Sequence, residues 1–328
     1  MLYFYFIKKL NFSKLLNFFK IVFSYLISFV FKKEFYFGQP FSISIEPTNR
    51  CNLKCIECVS GQNKFTRKKG NLDFDLFQSL IDQIFKKALN CFIYFQGEPY
   101  LNSNFFDMVE YAHSKNIFVS TSTNGHFLDN QSAKKTVLSG LDKLIISLDG
   151  TNQDIYEKFR VGGDFEKVIL GIKNLVIYKN EIKSKKPVII LQFLVLSINE
   201  HQVSEIKQLA KQLAVDKLEF KTVQIYNFDK NNYLLPKRSK YQRYKVKNRK
   251  YVMKNTLNNR CWRLWNSVVI TWDGEVVPCC FDKDAKYSFG NLKSDSLQNI
   301  LKGPNAVNFR NSILSKRKSI DICNNCTT

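Results

Sequence analysis

From residue 41 to about 222, short runs rich in β-branched and aromatic residues alternate with stretches of helical periodicity. Runs at 41–46, 91–96, 117–121, 143–148, 187–196 and 217–223 read as strands. Segments at 73–87, 103–114, 130–139, 153–179 and 200–213 read as helices. This βα-type repetition predicts a parallel sheet, open or curled into a partial (β/α)6 TIM-like barrel. In such barrels the chemistry sits in loops after the C-terminal ends of the strands. A smaller region follows. Runs at 268–272 and 275–279, joined at Asp273-Gly274, read as a β-hairpin, with short helices at 296–301 and 305–314. The expected fold is therefore α/β, a partial barrel plus a small C-terminal β-hairpin/helix domain. Its expected divisions are an N-terminal segment 1–40, the barrel 41–229, a linker 230–260 and the C-terminal domain 261–328.

The N-terminal segment follows a different pattern. Ser13, Asn17, Lys20, Ser24 and Ser28 recur at helical spacing within residues 1–37, leaving a narrow polar stripe and a broad apolar face. We read the segment as one amphipathic helix. Its longest charge-free stretch, Ile21 to Phe31, has eleven residues, against roughly 17–25 for a bilayer span. No small-residue cleavage site follows Phe31, which argues against a signal peptide. Such a helix suits a membrane interface, with Lys8, Lys9, Lys14, Lys32 and Lys33 near headgroups. It equally suits packing on its own domain or on a second subunit.

Charge and composition narrow the picture. Hydrophobic residues make up 45% of the chain, which excludes wholesale disorder. Lys and Arg total 50 against 28 Asp and Glu, a net charge of +22. That excess favours anionic partners such as phosphate groups, an acidic redox protein or an anionic membrane surface. No acidic residue lies between Lys230 and Trp272, so 230–260 reads as a solvated, irregular basic connector. The nine cysteines are odd in number and clustered, which points to metal sites in a reducing cytosol rather than a disulfide framework.

Cys51, Cys55 and Cys58 follow the first strand with C-x3-C-x2-C spacing. Three thiolates on one loop suit a [4Fe–4S] cluster with one iron left open. Zinc would need a fourth ligand nearby. With Cys51-Asn-Leu-Lys-Cys55-Ile-Glu-Cys58, and with later motifs in matching order, the chain resembles the radical S-adenosylmethionine (radical SAM) superfamily. The resemblance implies that the open iron binds SAM, whose reductive cleavage yields a 5′-deoxyadenosyl radical. Glu57 stands where the family often has an aromatic residue, which weakens adenine contacts from this loop. Gln96-Gly97-Glu98-Pro99 looks like the family's Gly-Gly-Glu-Pro motif, with Gly97 and Glu98 near the methionine ammonium. Ser122, Asn124 and Ser147, at the ends of the third and fourth strands, resemble the family's ribose and methionine contacts. Arg160 resembles an arginine that meets the SAM carboxylate, with a surface ion pair as its plain alternative. Asp149 could instead cap the following helix.

Cys261 is followed by twelve residues, Gly274, four residues and Cys279, and then by Cys323-x2-Cys326. This resembles the SPASM/twitch extension, the shorter twitch form fitting better. It implies one auxiliary [4Fe–4S] cluster on Cys261, Cys279, Cys323 and Cys326, able to accept an electron from the substrate radical. A four-cysteine zinc site is the competitor. Cys91 reads as a core thiol. Cys280 reads as a spare ligand or a proton or hydrogen donor near substrate, and Asp282 and Asp284 share that status. His113, His126 and His201 read as surface or packing residues.

The expected function is a radical SAM oxidoreductase or related modifying enzyme. Only about forty residues precede the barrel, with no folded leader-binding module. We therefore expect a small-molecule, glycan or lipid-linked substrate. The alternatives are peptide or protein modification, with the basic segment gripping an acidic substrate, and a zinc- or cluster-stabilised nucleic-acid-binding protein. A flavodoxin- or ferredoxin-type electron donor is the expected partner, and nucleic acid is not. The expected location is the cytoplasm, or peripheral contact at the inner membrane surface.

Overall fold

A computed structural model describes residues 2–225, 233–247 and 250–327. The chain opens with α1 (Leu2–Ile7) and α2 (Phe12–Phe31). The barrel elements follow: β1 (Ser42–Ile45), α3 (Phe74–Ile84), β2 (Asn90–Phe92), α4 (Phe105–Ser114), β3 (Phe118–Thr123) and α5 (Asn130–Leu138). They continue with β4 (Lys143–Ser147), α6 (Gln153–Phe159), α7 (Phe165–Glu181), β5 (Val188–Val195), α8 (Val203–Gln212) and β6 (Lys217–Thr222). After β7 (Tyr244–Lys247) and β8 (Lys250–Met253) come α9 (Arg263–Asn266), β9 (Ser267–Ile270), β10 (Glu275–Val277), β11 (Gly290–Asn291), α10 (Leu297–Lys302) and α11 (Pro304–Lys316).

Strands β1 to β6 pair in parallel and in sequence order, as the βα repetition predicts. One face of each strand is apolar and buried under the helices, as with Ile43, Ile45, Val119, Leu144, Ile146 and Leu191. The opposite, inner face is mixed: Ser44, Phe92, Ser122, Lys143, Ser147, Gln192 and Glu219 are neither fully buried nor bare. The inner face of a partial barrel is where a ligand is held.

Three features depart from the sequence reading, and one expected helical stretch resolves into two helices. The C-terminal hairpin does not form a sheet of its own. β9 pairs in parallel with β1, from Ser42↔Ser267 to Ile45↔Ile270, so one nine-stranded sheet runs β11-β10-β9-β1-β2-β3-β4-β5-β6. An open barrel leaves the β1 edge with unpaired backbone groups, and β9 covers it. The N-terminal segment is two helices, because Asn11 caps α2 by accepting from the Lys14 amide. Tyr5 of α1 lies against Ile145, Val188 and Ile190 on the inner face. The stretch at 153–179 is two helices, capped by Asn152 and Asp164. The basic connector holds a β7–β8 antiparallel ladder, and Tyr244 is buried there with its hydroxyl on Ile225 and Asn325. The expected start of that connector at 230 lies outside the described residues.

Residues 34–36 tie the N-terminal segment to the C-terminal region. Arg310, wholly buried, pairs with Glu34 and lies 3.9 Å over the Tyr36 ring. The Trp265 indole donates to the Phe35 carbonyl at 3.0 Å.

Candidate active site

The loop after β1 carries Cys51, Cys55 and Cys58, half-buried, buried and half-buried respectively. The Leu53 amide points at Cys51 Sγ at 3.5 Å. Two side chains from elsewhere in the barrel reach the same loop. Asn124 Nδ2 lies 3.9 Å from Cys51 Sγ and donates to Asn52 Oδ1 at 2.7 Å. Arg160 Nη1 lies 3.9 Å from Cys55 Sγ. Burial pushes the Cys51 thiol up to about 12 and raises Cys55, the latter opposed by Arg160. Thiols buried together keep their protons unless a metal displaces them.

The turn after β2 is sewn to this loop. Gly97 has φ +72°, and a Cβ there would stand 2.4 Å from the Thr48 carbonyl oxygen. Its amide donates to Ser60 Oγ at 2.9 Å, and the Glu98 amide donates to the Arg50 carbonyl at 2.8 Å. Gly97 therefore serves a close approach of backbone to the cysteine loop. Glu98 is held by several donors. It is buried, and its carboxylate accepts from Thr123 Oγ1 at 2.7 Å, the Asn124 amide at 2.7 Å and the Tyr100 amide at 3.3 Å. Burial pushes it up to about 7, against those hydrogen bonds. Its oxygens orient Asn124.

Arg160 is no surface ion pair. Its Nε donates to the buried Asp149 carboxylate at 2.6 Å, and Asp149 also accepts from the Leu194 amide at 2.7 Å. Asp149 thus fixes Arg160 beside the cysteine loop, and Asn152 caps α6 in its place. Ser122 and Ser147 are half-buried on the inner face, and their hydroxyls bond to no protein group among the described residues. They remain open to a ligand, and Gly97, Glu98 and Arg160 hold the frame beside them.

The second set lines one small cavity: Cys261, Cys279, Cys323 and Cys326, with Arg317, Phe281 and Ile322. Arg317 Nη2 lies 3.6 Å from Cys326 Sγ. Each thiol set thus has an arginine within reach of a sulfur. That suits an iron–sulfur group, whose ligated thiolates carry net negative charge and whose potential responds to hydrogen bonds at sulfur. Among the described residues, no three His, Cys, Asp or Glu side chains converge on a single-ion cage.

Phe281 and Ile322 also line a cavity of about 380 Å³ with Glu57, Cys58, Lys64, Lys283 and Lys286. They form a wall between the two sets. Burial lowers the Lys283 ammonium, opposed by Cys58 and Glu57. A third cavity, about 460 Å³, runs along the inner face past Phe92 and Tyr94 to Arg263 and Cys280. Cys280 is exposed there, 3.7 Å from Arg263 Nη1. Asp282 and Asp284 line the 380 Å³ cavity, and their carboxylates are engaged by the protein. Asp282 accepts from the Lys286 and Tyr287 amides, and Asp284 from Thr66 and Arg67. His126 is a packing residue, accepting the Asp164 amide at 2.8 Å, and Cys91 is fully buried in the core.

Ser60, Arg263 and Arg317 carried no motif signal, and Asn52 and Thr123 lay inside motifs without a role of their own. A further pair joins the two halves. Arg67 forks onto Glu46 with two 2.6 Å bonds, and its Nε donates to the Lys283 carbonyl at 3.0 Å. Both side chains are buried. Arg67→Met should cost about 3–5 kcal/mol by stranding a buried carboxylate. Thermal denaturation checks it, and adding Glu46→Gln should recover part of the loss.

Comparison with known proteins gives two family matches. The model described as "Radical SAM superfamily" matches residues 45–213, and "Iron-sulfur cluster-binding domain" (SPASM) matches 261–327. The "Tungsten-containing aldehyde ferredoxin oxidoreductase cofactor-modifying protein" of Pyrococcus furiosus is 29% identical over 86% of both chains. "Mycofactocin maturase MftC" of Mycolicibacterium smegmatis is 30% identical over 42% of this chain and 34% of its own length. The "Antilisterial bacteriocin subtilosin biosynthesis protein AlbA" of Bacillus subtilis is 25% identical over 82% of this chain and 61% of its own. Streptococcus suis SuiB, solved "bound to precursor peptide SuiA", shares the fold at TM-score 0.61 and 15% identity, covering 88% of this chain and 71% of its own.

Proposed function

The chain belongs to the radical SAM superfamily, and from that premise we propose that it modifies a peptide or a protein-borne group. It is an enzyme of the radical SAM type, with a [4Fe–4S] cluster and SAM as cofactors and auxiliary iron–sulfur chemistry in its C-terminal region. Bound together, cluster and SAM supply a radical that abstracts a substrate hydrogen. The chain's own residues hold and orient. Cys51, Cys55 and Cys58 would ligate the cluster, and Cys261, Cys279, Cys323 and Cys326 the auxiliary one. Asn124 and Arg160 fix the first loop. Ser122 and Ser147 offer hydroxyls to SAM. Phe281 and Ile322 keep apolar surface between the two sets.

The observation that carries the peptide reading is the breadth of the site. Cavities of about 380 and 460 Å³ lie on either side of the Cys279–Lys286 loop, with Cys280 exposed and lysines at the rim. Each alone is of small-molecule size, and only a substrate long enough to pass the loop would fill both. Relatives named as a maturase and a bacteriocin biosynthesis protein support it over our expectation of a small-molecule, glycan or lipid-linked substrate. That expectation rested on reading the residues before the barrel as a helix rather than a leader-binding module, which is silent about a peptide held by the barrel itself. A second reading, a cofactor precursor as substrate, has the Pyrococcus furiosus relative in its favour. The net charge of +22 supports docking of an acidic flavodoxin or ferredoxin as electron donor.

The test is anaerobic reconstitution with dithionite and SAM, following 5′-deoxyadenosine. Synthetic peptides encoded beside the gene are added one at a time and examined by mass spectrometry. Several-fold stimulation by one peptide, with a mass change in it, is the expected result. Stimulation only by a low-molecular-weight cell fraction would favour the cofactor-precursor reading instead.

A further inference from the structure

In a soluble protein an amphipathic helix turns its apolar face to the core. Helix α2 does the reverse. Its buried residues are Lys14, Asn17, Ile21, Ser24 and Ser28, four of the five polar. Phe12, Phe19, Phe23, Leu26, Val30 and Phe31, spaced seven, four, three, four and one apart, are each more than half exposed.

The inversion has a clear cause. The segment after α2 runs back along it with open backbone groups, and the polar stripe satisfies them. The Gln39 amide donates to Asn17 Oδ1, the Phe37 amide to Ser24 Oγ and the Phe35 amide to Ser28 Oγ, each at 2.9 Å. Lys14 Nζ reaches the Asn116 carbonyl at 2.7 Å. The polar face is therefore committed to the barrel from one end of the helix to the other.

We propose that the outer face of α2 docks flat on an anionic lipid surface. Three observations support this. An exposed apolar face of this length is far larger than the scattered apolar residues of an ordinary surface. Its rim is cationic: residues 1–33 hold six lysines and no Asp or Glu, and Lys8, Lys20, Lys32 and Lys33 are exposed. Apolar side chains flanked by lysines match the boundary between acyl chains and anionic headgroups. The helix is long and apolar enough to cross a bilayer by composition alone. Crossing would break every bond of the polar stripe, which favours lying in the interface. A second copy of this chain is the less favoured occupant, because a two-fold contact sets like lysine rims against each other. The inference rests on this surface alone and stands or falls apart from the substrate reading.

The test is flotation of the full-length protein with vesicles of phosphatidylcholine, alone or mixed equally with phosphatidylglycerol. Binding to the mixed vesicles, weakened by salt, is expected. Lys20→Glu/Lys32→Glu/Lys33→Glu should weaken it on the order of a hundredfold, since each lysine contributes about fivefold. Phe19→Ser/Leu26→Ser/Val30→Ser should weaken it at least about tenfold with an unchanged melting temperature. Folded protein that stays with the buffer at low salt overturns the proposal. So does a dimer in light scattering that the serine variant dissociates while no vesicle binds.

Discussion

Replacing Cys51, Cys55 or Cys58 by alanine is expected to reduce 5′-deoxyadenosine to background. A cubane held by three thiolates has no spare ligand. Losing one opens a second iron to solvent, and the cluster is lost or displaced. Cys91, the remaining cysteine of the barrel, is fully buried in the core on the helix-packed side of β2 and offers no rescue. The second set provides the contrast. Cys261→Ser or Cys326→Ser removes a thiolate from a cavity walled off by Phe281 and Ile322. SAM cleavage without substrate should survive, while substrate turnover falls. Iron and sulfide content and the low-temperature EPR spectrum report which cluster is missing. Full SAM cleavage by Cys55→Ala would sink the assignment.

Gly97→Ala should be nearly as damaging, although it touches no ligand. Gly97 has φ +72°, and its added methyl would meet backbone oxygens of Thr48 at 2.4 Å and Arg50 at 2.6 Å. Backbone cannot yield as the end of a side chain can. The turn must withdraw from the cysteine loop, and the Gly97–Ser60 and Glu98–Arg50 hydrogen bonds go with it. We expect a loss of about 3 kcal/mol or more and a fall in cluster iron. Gly162→Ala is the control. Its φ is +79°, but a Cβ there meets nothing within 4 Å, so only the roughly 1–2 kcal/mol of left-handed strain applies. If melting temperature and iron content were alike in the two variants, the close approach would have no role in holding the cluster.

Much of this was legible in the chain. The βα order, the two cysteine sets and the hairpin at Asp273-Gly274 all follow from local pattern, because strand alternation, helical period and turn chemistry act over a few residues. The roles of single polar residues were less legible. Glu98 read as a ligand contact, and nothing local to it showed that its carboxylate also orients Asn124. Asp149 looked like a helix cap and instead holds Arg160. Arg67 and Arg317 carried no motif at all, because an arginine's partner is set by what folds beside it.

The sequence by itself determined which elements form, in what order, and that seven cysteines fall into two sets able to hold iron–sulfur groups. It also determined that one stripe of α2 is polar. Only the tertiary structure decided which side of that helix turns inward, because the answer depended on backbone groups of residues 35–39 needing hydrogen-bond partners. Only the tertiary structure placed β9 on the open edge of β1 and Arg310 on Glu34, 276 residues apart. Periodicity reports what each residue prefers locally, whereas a buried polar group is satisfied by whichever partner the whole fold brings within reach.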